Sequence, residues 1–131
     1  MKLFLAAAVM VLFAMSHTAV LAKSKSITGN WKGGGSFTTS SGTRERTRCN
    51  ATIRAKKSKR FRIFAKCAVA SLGIIEQSGT FKRIGKNRYA GRFTNEEYDI
   101  HGSIYITLKG KKQYISLRSS SGRGSLVLRR R

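Results

Sequence analysis

The chain has no proline, and only five of its 131 residues are acidic. Without proline, turns must come from glycine, asparagine and serine. Beyond residue 22 there is one histidine, His101, so a two-histidine acid–base mechanism is excluded. With one histidine and two cysteines, a four-ligand zinc site would have to borrow carboxylates, and neither a metal nor another cofactor is expected. After residue 22 no apolar run is long enough to span a membrane as a helix. No segment carries a helical stripe of apolar residues either.

What is present divides at residue 22. Lys2 followed by the apolar stretch Leu3 to Met15, and the small-residue ending Val20-Leu21-Ala22, read as a signal peptide over 1–22. Residue 23 is Lys, not Cys, so the bacterial lipoprotein anchor pattern is lacking. The expected product is one exported domain over 23–131, periplasmic or secreted. The formal net charge is +22, and all of the 27 Lys and Arg except Lys2 fall in that domain. High charge with modest hydrophobicity can mean disorder, but here apolar residues alternate regularly and glycines punctuate them.

That alternation predicts eight strands, near 28–38, 45–55, 61–71, 74–84, 88–94, 97–108, 113–119 and 124–130. Short links between them imply antiparallel neighbours. Centring the second hairpin on Ser58 places Cys49 opposite Cys67, Ala51 opposite Ala65, Ile53 opposite Ile63 and Ala55 opposite Phe61, all on one face. The other face then pairs Asn50 with Lys66, Thr52 with Phe64 and Arg54 with Arg62. In an oxidising compartment the opposed cysteines predict one disulfide. With the next turn at 85–87, Phe81 faces Gly91 and Gly79 faces Phe93. The fold class expected is all-β: an eight-stranded antiparallel up-and-down barrel, with an open β-sandwich as the alternative. The inward set would be Ala51, Ile53, Ile63, Ala65, Val69, Ile104, Ile106, Leu126 and Leu128, with Trp31, Phe81 and Phe93. It could fill the barrel or leave a narrow cavity.

The first strand carries Gly29-Asn30-Trp31 and the last ends Leu126-Val127-Leu128-Arg129. In this the chain resembles the calycin superfamily of lipocalins, fatty-acid-binding proteins and avidins. The resemblance implies that Trp31 closes one end of the barrel and that Arg129 packs across its ring. It also resembles small periplasmic eight-stranded barrels that inhibit proteases or lysozymes, although a strongly basic chain would be repelled by basic lysozymes.

No catalytic constellation is expected. Asp99, His101 and Ser103 share a face of the sixth strand, but i, i+2 side chains stand about 7 Å apart, too far for a triad. Three of the five carboxylates, Glu96, Glu97 and Asp99, crowd one turn and read as solvated. Gly33-Gly34-Gly35 lacks the Lys-Ser/Thr and helix of a phosphate loop and reads as a strand bend or bulge. The basic residues are the strong signal, because ordinary domains reach solubility at a net charge of about 2–8. Arg54, Lys56, Lys57, Lys59, Arg60 and Arg62 on the second hairpin are the candidate anion-binding residues. The expected function is a non-enzymatic exported binding protein for anionic envelope or extracellular ligands: lipopolysaccharide, anionic lipid or nucleic acid. The alternatives are a carrier of a small apolar ligand inside the barrel, and a periplasmic inhibitor or adaptor of an acidic protein.

Overall fold

The computed structural model describes residues 26–131. The expected signal peptide over 1–22 lies outside the described residues. Eight strands follow one another: β1 Gly29–Thr39, β2 Arg44–Ala55, β3 Arg60–Val69, β4 Gly73–Gly85, β5 Arg88–Asn95, β6 Ile100–Lys109, β7 Lys112–Ser119 and β8 Gly122–Arg130. Each pairs antiparallel with the next, and β1 pairs with β8, so the sheet closes into a barrel. The sandwich alternative is thereby excluded. Closure leaves no strand edge unpaired.

The β2–β3 register is the expected one. Cys49 faces Cys67, Ala51 faces Ala65, Ile53 faces Ile63 and Arg54 faces Arg62. The two sulfurs form a disulfide. Gly79 faces Phe93 and Phe81 faces Gly91, again as expected. β6 begins at Ile100 rather than 97. The alternation of Tyr98 and Ile100 suggested a strand, but residues 96–99 form a turn in which Asp99 has φ +51°. Asn95 Oδ1 accepts the Tyr98 N–H at 3.2 Å and fixes that turn.

At two places in the core an aromatic ring fills the space left by a glycine on the neighbouring strand: Phe93 lies over Gly102 and Phe37 over Gly124. At Gly91, opposite Phe81, a Cβ would instead meet the Thr80 carbonyl oxygen and Phe81 Cα. A Cβ at Gly102 would come within 2.4 Å of Phe93 Cε1. At the end of the barrel formed by the β2–β3, β4–β5 and β6–β7 connections, Phe61, Phe81 and Tyr89 form a cluster with centroids 5.5–5.7 Å apart. The N-terminal segment crosses this same end. Ile27 and Trp31 are fully buried, and Trp31 Nε1–H donates to the Ile27 carbonyl at 3.0 Å. Gln113 is also fully enclosed, and neither its Nε2 nor its Oε1 has a hydrogen-bond partner among the described residues.

The expected partner of Trp31 is corrected by one residue. Arg129 is exposed, whereas Arg130 lies opposite Trp31 and holds its guanidinium 4.4 Å from the ring centre. The reason is strand parity: Leu126 and Leu128 point inward, so Arg130 shares their side and Arg129 does not. Gly29 belongs to the same arrangement. Its φ of +127° suits glycine, and a Cβ there would lie 3.1 Å from Arg130 Nη1.

Candidate functional site: basic closed end and apolar mouth

An up-and-down barrel sorts its connections between two ends. The β2–β3, β4–β5 and β6–β7 links lie at the closed end with the chain termini of the barrel. The β1–β2, β3–β4, β5–β6 and β7–β8 links surround the opposite end, the mouth.

Charge is sorted with them. Arg54, Lys56, Lys57, Lys59, Arg60 and Arg62 all belong to the β2–β3 hairpin and all are exposed. The structure therefore brings all six candidate residues to one hairpin. Lys86, flanked by Arg83 and Arg88, occupies the β4–β5 link. Lys111, flanked by Lys109 and Lys112, occupies the β6–β7 link. None of these three links or their flanks contains a carboxylate. Among the described residues the carboxylate contacts to basic side chains are Lys66 with Glu76 at 3.6 Å and the His101 ring with Asp99 at 3.1 Å, so no hairpin cation of the six is neutralised by a carboxylate. Arg62 also stacks 4.5 Å above the exposed Phe64 ring, and Lys109 lies 5.5 Å above that of Tyr114. At the tip, Ser58 and Lys59 both adopt positive φ, +62° and +58°. Positive φ at two successive residues is the backbone of a tight hairpin turn whose twist matches the flanking strands.

The mouth mixes both signs: Arg44, Arg118 and Arg123 flank its links, and most of the acids gather there. Four of the five carboxylates belong to it: Glu45, Glu96, Glu97 and Asp99. Glu45 ties two mouth loops together by accepting hydrogen bonds from the Ser71 N–H at 3.1 Å and the Ser71 hydroxyl at 2.6 Å. Below it lies an apolar cavity of about 130 Å³, walled by Phe37, Leu72, Ile75, Phe93, Ile100 and Leu117 among others. A second space of about 30 Å³ lies deeper, against Ala51, Ala65 and the disulfide. Phe37, Gln77, Phe93 and Leu117 border both spaces. The barrel is thus packed with aromatic rings at its closed end and partly hollow toward its mouth.

The expected separation of Asp99 from His101 needs correction. Because Asp99 sits in a left-handed turn instead of a strand, its Oδ1 reaches His101 Nε2 at 3.1 Å. Ser103 does not join them; its hydroxyl accepts from Arg92 Nη1 at 3.5 Å. Both side chains are exposed. Among the described residues no group of three or more His, Cys, Asp or Glu could hold a metal ion. No helix is long and apolar enough to cross a membrane among those residues.

The geometry defines a closed, disulfide-linked eight-stranded antiparallel barrel. No protein-family model matches the chain, and no curated protein matches it by sequence. Among solved structures it is similar to designed barrels. One is a fluorescence-activating β-barrel designed de novo, with a TM-score of 0.62, 15% identity, and coverage of 79% of this chain and 93% of that one. Another is the redesigned barrel mFAP1 bound to DFHBI, with a TM-score of 0.65, 15% identity, and coverage of 79% and 94%. A further redesigned barrel has a TM-score of 0.63 at 12% identity, covering 79% and 90%. At these identities the likeness shows the fold alone and does not place the chain in the calycin superfamily.

Proposed function

We propose that the chain is an exported, non-enzymatic binding protein that uses its closed end to hold anionic polymers or lipid headgroups. The observation that carries this reading is the segregation of charge: three consecutive closed-end links rich in Lys and Arg with no carboxylate, opposite a mouth holding four of the five acids. Spreading the cations evenly would have served solubility at lower self-repulsion. Lysine and arginine supply charge-assisted hydrogen bonds, and arginine can engage a phosphate through two of them.

The test is retention of the oxidised 23–131 protein on anionic vesicles, lipopolysaccharide, DNA and neutral vesicles across a salt series. Retention on an anionic target should fall steeply with salt, and neutral vesicles should not retain the protein. Replacing Arg54, Lys56, Lys57, Lys59, Arg60 and Arg62 by Gln should flatten the slope. Neutralising Glu96, Glu97 and Asp99 should not. If the six replacements leave every anion interaction unchanged, the reading is wrong.

A second reading rests on the mouth cavity. We infer that it accepts a small apolar group. A cavity near 150 Å³ holds about one aromatic ring, so the mouth would enclose one ring of a ligand whose remainder faces solvent. The designed barrel mFAP1 holds DFHBI in a similar fold, which supports this reading without specifying a ligand. A panel of small aromatic compounds should stabilise the protein in thermal shift, and Ile75→Trp should abolish the effect. No stabilisation by any of them would remove it.

A further inference from the structure

The glycine run Gly33-Gly34-Gly35 has a structural role: a Cβ at Gly33 or Gly35 would lie within 2.0 Å or 1.8 Å of a β8 carbonyl oxygen, so β1 and β8 approach too closely for any other residue. Gly34, on the outer side, is also confined, since a Cβ there would lie 2.6 Å from the Thr47 carbonyl oxygen. There the run floors a furrow whose lining includes Lys32, Arg46, Arg48 and Arg129, and no carboxylate. The four cations come from three strands, and all are exposed.

Their placement follows from the register. Gly34 lies between Arg48 on β2 and Val127 on β8. Lys32 lies between Asn50 and Arg129 in the next outward row, and Ser36 faces Arg46 in the row beyond Gly34. Neighbouring strands stand about 4.8 Å apart and outward rows about 6.7 Å apart. The result is a gap about one side chain wide, bordered directly by Arg48 and Lys32, with Arg46 and Arg129 at diagonal positions and Val127 on the β8 side. None of the four pairs with a carboxylate among the described residues.

We infer that this furrow is a second, separate anion seat, shaped for a terminal phosphate, either inorganic phosphate or a phosphomonoester. A terminal phosphate offers three oxygens and up to two negative charges, enough to face Arg48, Arg129 and Lys32 together. A phosphodiester offers two free oxygens and one charge. Arg48 beside the gap and Arg129 diagonal to it give paired N–H donors, and the glycine floor lets the group approach the sheet without a side chain beneath it. The seat is independent of the hairpin reading, since it uses none of the six hairpin residues.

The experiment is an amide NMR titration of the oxidised protein at fixed ionic strength, reading the Gly33, Gly34 and Gly35 signals. Probes are inorganic phosphate, chloride as control, and vesicles carrying phosphatidic acid or phosphatidylglycerol. Inorganic phosphate should shift the glycine signals saturably, and chloride should not. Arg48→Gln with Arg129→Gln should weaken the response at least about tenfold. The six-residue hairpin variant should keep it. A response confined to phosphatidic acid supports the same seat and names a lipid headgroup as the source. Lys32→Gln gives a second, single-site check, and thermal unfolding confirms that each variant is folded. Glycine signals that stay still with every phosphate probe, respond equally to phosphatidylglycerol, or respond equally in the double variant would overturn the seat. The hairpin reading is judged by vesicle, lipopolysaccharide and DNA retention, so either can fail alone.

Discussion

Arg130 holds its guanidinium over the Trp31 ring and at the same time donates to the Thr28 carbonyl at 2.8 Å and to the Ser26 carbonyl. One side chain thereby joins the last strand, the first strand and the segment that precedes it. Arg130→Gln should lower stability by about 2 kcal/mol, since it removes a cation–π contact and charge-assisted hydrogen bonds. Arg129→Gln, on the exposed side, should change it by less than about 0.5 kcal/mol. Urea denaturation of the two variants checks this, and equal effects would refute the assignment.

Gly102 tests the ring-over-glycine packing. Gly102→Ala brings a Cβ within 2.1 Å of the Arg118 carbonyl oxygen and 2.4 Å of the Phe93 ring and should cost at least about 2 kcal/mol through overpacking. Pairing it with Phe93→Leu should recover part of the loss. A double-mutant cycle measures that coupling.

Gln113 is buried, and both amide atoms are unpartnered among the described residues. Gln113→Leu should raise stability by about 1–3 kcal/mol. An unchanged or lowered midpoint in denaturant would mean that the amide is satisfied in solution.

The Cys49–Cys67 disulfide joins residues 18 apart in sequence. Its loss should cost about 3 kcal/mol, on the chain-entropy account. Thermal unfolding of the oxidised protein against the Cys49→Ala/Cys67→Ala variant measures it. The barrel should survive, because the same hairpin keeps its Ile53–Ile63 and Ala51–Ala65 pairs.

The β2–β3 hairpin was legible because two cysteines and a period-2 apolar pattern agree on one register; each alone would allow a slip. Trp31 was legible as the end of the barrel, but its partner was assigned to Arg129 by the resemblance rather than by parity with Leu126 and Leu128. Asp99 was misplaced for a different reason. Alternation runs on through residues 97–99, while the turn is set by the Asn95 side chain, which periodicity does not report. The candidate hairpin residues were readable as a group because they are close in sequence. The furrow was not, since Lys32, Arg46 and Arg129 meet only once β1 has paired on both sides. The hollow of the mouth was equally out of reach, because it depends on how far Phe37, Phe93 and Leu117 extend across the barrel.

An excess of cations at the closed end and most of the carboxylates at the mouth give the molecule an electric moment along its axis. Near a negatively charged plane such a body feels a torque before it feels contact, so it turns its closed end toward the plane while still diffusing. Molecules collected there would stand upright, side by side, each with its hollow directed away from the surface. Crowding at the plane would then leave every mouth open to the surrounding water.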